Sequence, residues 1–91
     1  MKIQIQLFSV LRDLLPPGAE RGRTTVTLPE GATLSELVAH LGIDQKLGLA
    51  PGEIVSKAGW QVMVADRFEA DMGRVLYGGD EVKILPPISG G

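Results

Sequence analysis

One short amphipathic segment with clear boundaries constrains the fold more than any other part of the sequence. Thr33 and Glu36 have the spacing of a capping box, in which the threonine hydroxyl accepts a hydrogen bond from the amide of residue 36 and the glutamate reaches back. Gly42 supplies a left-handed end. Between them, four apolar residues recur at helical spacing and form one face: Leu34, Leu37, Val38 and Leu41. The sequence therefore predicts one main helix whose apolar face must pack on another layer.

Alternating polar and apolar residues predict strands on both sides of this helix. Residues 2–7 alternate strictly, which places Ile3, Ile5 and Leu7 on the buried side of a strand. Residues 24–28 repeat the pattern, and the short connection between the two segments favours an antiparallel hairpin with a loose loop. Three further strands are predicted after the helix, at residues 60–65, 68–72 (a short edge strand) and 81–85.

These elements predict an α+β fold in which one helix packs on one face of a mixed sheet. The helix joins the second and third strands, so the first and last strands can lie side by side in the sheet centre, parallel to each other. Residues 9–15 are expected to form a short helical turn, and residues 43–59 a long connection with one helical turn near 53–56. The domain is predicted to span residues 1–85, followed by an extended tail at 86–91.

The composition excludes several kinds of site. The chain has no cysteine, which excludes disulfides, thiolate metal ligands and a cysteine nucleophile. His40 is the only histidine, which is too few for a zinc site or a catalytic triad, and it is expected at the surface or at its boundary. The net charge is −2 and the 9 Lys and Arg residues are scattered, so no nucleic-acid surface is expected. No apolar run approaches the roughly 20 residues that span a bilayer and no signal peptide is evident, so we expect a cytoplasmic protein without membrane contact.

Two other patterns resemble ligand sites but lack the required parts. Gly78-Gly79 does not lead into a helix that begins with the Lys-Ser/Thr pair of a phosphate-binding loop, so we predict a turn. Asp66, Glu69 and Asp71 lack the spacing of a calcium-binding loop and are expected to form a solvated acidic edge. Trp60 begins a strand and is expected in the core or at its boundary.

A di-glycine tail closes the sequence, which ends in Pro86-Pro87-Ile88-Ser89-Gly90-Gly91. Glycine has no Cβ, so Gly90 and Gly91 allow the backbone to thread a narrow channel and approach the catalytic groups of another enzyme. The two prolines favour an extended path. A reactive terminal carboxylate accounts for this composition, and an incidental flexible end is the alternative.

Three segments together resemble the ubiquitin-like sulfur-carrier proteins, and most closely the small subunit of molybdopterin synthase (the MoaD/ThiS-like group). They are Leu7-Phe8-Ser9-Val10-Leu11-Arg12, Gly79-Asp80-Glu81-Val82 and the tail itself. The resemblance implies a β-grasp fold. The sequence departs from the family pattern in three places. Residues 43–59 have no clear counterpart, Ala65-Asp66-Arg67 replaces an Asn-Gly-like turn, and Leu85 stands where an aromatic residue is common.

The resemblance also implies the chemistry of the tail. The Gly91 carboxylate is expected to be activated by a separate adenylating enzyme of the ubiquitin-activating type (MoeB/ThiF-like), which uses ATP and Mg²⁺. A sulfur-donor protein then leaves a thiocarboxylate at Gly91, and the sulfur passes to a precursor held by the large subunit of molybdopterin synthase. The chain itself is expected to bind no cofactor and no metal, and to act as a carrier or as the small subunit of a sulfurtransferase complex.

Other functions stay open at this point. The sulfur could serve another pathway, such as thiamine or tungsten-cofactor synthesis or tRNA thiolation. The chain could also be a ubiquitin-like modifier that is conjugated to protein lysines. An alternative of another class is a passive β-grasp binding module whose tail is incidental.

Strand parity predicts a docking surface for the partners. If Ile5 and Leu7 face the helix, then Phe8 faces away, and Leu85 does the same in the last strand. Parallel neighbouring strands would bring Phe8 and Leu85 together where the tail leaves, with Phe68 joining them from the edge. Exposed apolar clusters usually mark interfaces. Burial of Phe8 beneath the loop at 16–23 is the alternative. The partner-binding residues are therefore predicted to be Phe8, Phe68, Leu85, Pro86, Pro87, Ile88 and Ser89.

Overall fold

The computed structural model describes residues 1–87, which form a five-stranded sheet, one main helix and three shorter helical segments. The elements in chain order are β1 (Lys2–Leu7), a first 3-10 helix (Ser9–Leu14), β2 (Arg23–Thr27), α1 (Leu34–Leu41), α2 (Ile43–Lys46), a second 3-10 helix (Val55–Ala58), β3 (Gln61–Val64), β4 (Arg67–Phe68) and β5 (Glu81–Leu85). Within these residues, no helix has the length and apolar character to cross a membrane.

The sheet is mixed, with strand order β2-β1-β5-β3-β4. The central pair, β1 and β5, is parallel, and every other pairing is antiparallel. Ile5 lies opposite Val82 and Leu7 lies opposite Ile84 in the central pair. This arrangement confirms the predicted α+β fold and the predicted parallel pairing of the first and last strands.

Helix α1 packs on the sheet as its apolar spacing predicts. The Thr33 hydroxyl accepts a hydrogen bond from the Glu36 N–H at 3.3 Å, and Gly42 ends the helix with a φ of 76°. Leu37 is fully buried and Val38 nearly so. The residues that meet this helix face from the strands are equally buried: Ile3, Ile5, Leu7, Val62, Val64, Val82 and Ile84.

The prediction for residues 43–59 was incomplete. The structure has a four-residue helix, α2, directly after Gly42, and Ile43 is fully buried there. Such a helix is too short to show an apolar period in the sequence. The helical turn expected near 53–56 lies two residues later, at Val55–Ala58, because Val55 is the fully buried anchor of this segment.

Glu53 organises the turn before the second 3-10 helix. Its Oε1 accepts a hydrogen bond from the Ala50 N–H at 2.7 Å, and its Oε2 pairs with the Lys57 ammonium. The bond to Lys57 and then the bond to Ala50 favour the ionised form, which lowers the pKa of Glu53 below its ordinary value. The stabilisation is therefore present above the pKa that Glu53 has in the unfolded chain, and it is lost as the pH falls through the folded-state value.

The edge strand also differs from the prediction of 68–72. Strand β4 contains only Arg67 and Phe68, and it pairs with β3 through the two-residue turn Ala65-Asp66. Both turn residues have positive φ, 50° at Ala65 and 67° at Asp66, as in a type I′ turn. The chain leaves the edge soon afterwards, at a turn in which Asp71 Oδ1 accepts a hydrogen bond from the Gly73 N–H at 2.8 Å.

Substitution of Leu37 tests the packing of α1 on the sheet. We expect Leu37→Ala to lower the free energy of unfolding by about 2–5 kcal/mol, because the buried side chain leaves a cavity beneath the helix. The matched control is His40→Ala on the exposed side of the same helix, which should change stability by less than about 0.5 kcal/mol. Urea denaturation measures both, and a loss below about 1 kcal/mol for Leu37→Ala would contradict this orientation of the helix.

The Ala65-Asp66 turn provides a second stability test. Alanine is strained at a φ of 50°, whereas asparagine tolerates it, so we expect Ala65→Asn to raise the free energy of unfolding by about 0.5–1 kcal/mol. The same change at Ala39, which is exposed in α1, should lower it by about 0.5 kcal/mol because asparagine is a poorer helix former. Opposite signs in urea denaturation support the turn assignment, and two losses of similar size would refute it.

Candidate functional site

The tail leaves the domain from the middle of the sheet. Strand β5 ends at Leu85, flanked by β1 on one side and β3 on the other. Pro86 is half-buried and Pro87 is exposed. The predicted reacting group Gly91, its neighbour Gly90, and Ile88 and Ser89 lie outside the described residues, so their roles stay predictions.

The structure brings Phe8 and Leu85 to the same end of the two central strands. Leu7 lies opposite Ile84, and the chain continues from each residue in an extended direction, with φ −127° and ψ 157° at Phe8. Phe8 and Leu85 are therefore neighbours on the face that points away from α1. Each of them is half-buried, so part of each side chain is accessible.

Phe68 lies on the same face at the sheet edge, and a fourth residue connects it to the tail exit. Phe68 is 66% exposed and lies opposite Met63, which in turn lies opposite Lys83. Because Leu85 pairs with Gln61, Met63 occupies the diagonal position between Leu85 and Phe68. We name Phe8, Met63, Phe68 and Leu85 the outer-face cluster. Met63 was missed at the sequence level, although alternation along residues 60–65 would have indicated it.

A group of three charges interrupts the outer-face cluster at Lys83, and its formal charge is −1 because one lysine faces two carboxylates. The Lys83 ammonium lies 3.5 Å from Glu81 Oε1 and 3.9 Å from Asp66 Oδ1. These are partly solvated surface pairs, which contribute little to stability. They do neutralise the lysine, so a partner can cover this face without burying an isolated charge.

A polar groove of about 660 Å³ opens between the loop at 16–21 and the β2 side of the sheet. Its side chains are mainly polar or charged, among them Gln4, Glu20, Arg21, Arg23 and Glu81, and no histidine or cysteine lines it. Among the described residues, no cluster of three or more His, Cys, Asp or Glu side chains has the geometry to hold a metal ion.

The residues that resembled ligand sites have structural roles. Gly78 and Gly79 form a turn closed by Asp80, whose Oδ2 accepts a hydrogen bond from the Tyr77 N–H at 2.9 Å. Glu69 pairs with Arg74 at 3.0 Å across the loop after β4. His40 is exposed on α1 and Trp60 is buried just before β3, as the sequence predicted.

The sheet order and the single main helix define a class of protein. A mixed sheet with a central parallel pair and one helix packed across it is the β-grasp, or ubiquitin-like, fold. A sequence profile of the ThiS family matches residues 5–91, which covers nearly the whole chain and includes its final glycine. The chain therefore belongs to the ThiS family, and the resemblance to the ubiquitin-like sulfur carriers is confirmed. A search of curated protein sequences finds no significant match.

Solved structures agree with this assignment. SAMP1 from Haloferax volcanii superposes with a TM-score of 0.71 at 25% identity, over 100% of each chain. A putative molybdopterin converting factor subunit 1 from Pyrococcus furiosus gives a TM-score of 0.68 at 24% identity, over 96% of this chain and 98% of that one. A chain of the complex of subunits 1 and 2 of the molybdopterin-converting factor from Helicobacter pylori gives 0.61 at 20% identity, over 100% of both.

Proposed function

We propose that this protein is a sulfur carrier whose C-terminal Gly91 is adenylated and then converted to a thiocarboxylate, with molybdopterin as the destination of the sulfur. The observation that carries the proposal is the position of the tail. The tail begins immediately after the central strand β5, at the end of the strand where Phe8 and Leu85 are neighbours on the outer face. The family profile extends to Gly91, which supports a role for the last residue itself.

The proposed chemistry needs only a carboxylate and an unhindered backbone from this chain. One carboxylate oxygen of Gly91 attacks the α-phosphorus of ATP, and pyrophosphate leaves to give an acyl-adenylate. The outer sulfur of a persulfide on a donor protein then attacks the acyl carbon and displaces AMP, which gives an acyl disulfide. A thiol cleaves the S–S bond of this intermediate, so that the thiocarboxylate is released and the donor sulfur is left in a disulfide with that thiol. ATP, Mg²⁺ and the acid–base groups belong to the adenylating partner. Because such partners use ATP and a protein sulfur donor, we expect the reaction to take place in the cytoplasm.

The outer-face cluster is the proposed docking surface for these partners. The cluster offers apolar side chains to a partner, and Lys83 between them is paired rather than isolated. Because the outer-face cluster includes Leu85, a partner bound there lies next to the start of the tail. The Helicobacter pylori relative was solved in complex with a second subunit, which supports a protein partner of this kind.

The choice of acceptor rests on two of the structural relatives. The Pyrococcus furiosus and Helicobacter pylori proteins are both molybdopterin-converting factors by name, and this favours molybdopterin over thiamine, tungsten cofactor or tRNA as the destination. SAMP1 favours a second candidate, because its name marks it as a small archaeal modifier protein. Conjugation to lysines would begin from the same acyl-adenylate at Gly91.

Changes at the tail test the proposed reacting group. We expect deletion of Gly91, or addition of one alanine after it, to abolish ATP–pyrophosphate exchange by the adenylating enzyme. Gly90→Ala should reduce exchange, because a methyl group obstructs a channel shaped for bare backbone. Urea denaturation should give the same free energy of unfolding for all variants, since these residues lie beyond β5. Normal exchange by the chain that ends at Gly90 would contradict a specific role for Gly91, and absence of exchange with the unmodified chain would support a passive module.

Substitution of Phe68 tests the docking surface with a closely matched control. Phe68→Ala should weaken binding to the adenylating enzyme by about tenfold, and stability should change by less than about 0.5 kcal/mol because the ring is 66% exposed. Tyr77 is 67% exposed but precedes the start of β5, at the opposite end from the tail. Isothermal titration calorimetry measures binding of both variants to the adenylating enzyme, and Tyr77→Ala should bind normally.

The same titration separates docking from core packing at the tail exit. Phe8→Ala and Leu85→Ala should also weaken binding, by an amount that exceeds any loss explained by the unfolded fraction. If both variants lose stability but the folded fraction binds normally, these residues belong to the core and the partner recognises another surface.

A further inference from the structure

The base of the tail rests on a glycine of the connection between α2 and β3. Gly59 has a φ of +86°, and a Cβ placed on it would lie 3.1 Å from Pro87 Cγ and 3.3 Å from Pro87 Cβ. Both separations are shorter than ordinary van der Waals contact between carbon atoms. Pro87 therefore occupies the space where a side chain at position 59 would begin.

Gly59 is held in place from both sides. It ends the second 3-10 helix, and its N–H donates a hydrogen bond to the Ser56 carbonyl at 2.8 Å. Val55 in that helix is fully buried, and Trp60, the residue after Gly59, is 6% exposed. Anchors on each side make this turn a fixed support rather than a loose loop.

A fixed support beside Pro87 controls the direction in which the tail leaves the sheet. The ring of Pro87 restricts its own φ, so the contact with Gly59 leaves little freedom at this point. Four residues separate Pro87 from the end of Gly91, a reach of roughly 13 Å when extended. The direction of the chain at Pro87 therefore determines where the path of these four residues begins.

From this contact we infer that Gly59 is a positioning residue for the C-terminal carboxylate. It acts through Pro87 and directs the tail toward the active site of a docked adenylating enzyme. The inference rests on the proposed function and deepens it, because it assigns a role to the connection at 47–59, which lies outside both the sheet and the outer-face cluster. A residue of this kind contributes to turnover without contributing to docking.

Alanine substitution at two glycines separates this role from backbone strain. Gly59→Ala and Gly48→Ala each place a side chain at positive φ, +86° and +72°, but a Cβ at Gly48 would meet nothing within 4 Å. We expect both variants to lose stability to a similar degree. Only Gly59→Ala should lower kcat for ATP–pyrophosphate exchange, by roughly 10–100-fold, with little change in KM because the docking surface is intact.

A double-mutant cycle with Pro87→Ala tests the contact. Pro87→Ala removes Cγ, the atom nearest to the added methyl group, so Gly59→Ala should lower kcat much less in the Pro87→Ala background than in the unmodified chain. The pair Gly59→Asn and Gly48→Asn repeats the comparison if the alanine variants fold poorly, since asparagine tolerates positive φ. In the unmodified chain, nuclear Overhauser effects should join the Gly59 Hα and Pro87 Hγ protons.

The outcomes distinguish this inference from the proposed function. If the unmodified chain supports exchange but the two substituted glycines behave alike, the positioning role is wrong and the carrier function stands. Absence of the Gly59–Pro87 Overhauser effect, or an equal loss of kcat from Gly59→Ala in both backgrounds, also overturns the positioning role. If the unmodified chain supports no exchange at all, the carrier function fails and the positioning role fails with it.

Discussion

The parallel pairing of β1 with β5 is the constraint on which the other features depend. Parallel neighbours cannot be joined by a tight turn, so the chain between them must cross over the sheet, and α1 with its buried face makes that crossing. The pairing also places the last strand between two others rather than at an edge. The tail consequently starts from the most fully hydrogen-bonded part of the domain, which fixes its point of departure.

One face of this sheet packs against α1, and the other face is available for contact with other molecules. The inward residues of β1 and β5 pack against α1 in the centre of the core. The outward residues alternate with them and are left for contact with other molecules, with Leu85 next to Phe8 at the tail exit. Because the strand period is two, a core-facing pattern automatically leaves an outer face in fixed register. A carrier that must present its terminus to several partners benefits from such a rigid platform.

Strong local patterns made much of the fold predictable. The strict alternation of residues 2–7, the capped helix that ends at Gly42 and the bounds of β5 are all visible in the sequence and all occur in the structure. Each of these signals combines a periodic pattern with a terminating residue. The juxtaposition of Phe8 and Leu85 follows from parity once the central strands are taken as parallel neighbours.

Features that depend on tertiary packing could not be predicted in the same way. Helix α2 is one turn long, so burial of Ile43 rather than a repeating pattern determines it. The start of β4 is set by the Ala65-Asp66 turn, whose residues are not those that usually signal a type I′ geometry. The contact of Gly59 with Pro87 joins residues distant in sequence, and glycine itself leaves no side-chain pattern to detect.

The intact mass of the protein isolated from its native host tests the central proposal most directly. A sulfur carrier should yield a fraction whose mass is raised by the difference between one sulfur and one oxygen atom, with fragmentation placing the change at Gly91. A conjugate to a lysine of another protein would identify a modifier instead. Only the free acid, even when the adenylating enzyme and a sulfur donor are co-expressed, would contradict activation of the carboxylate.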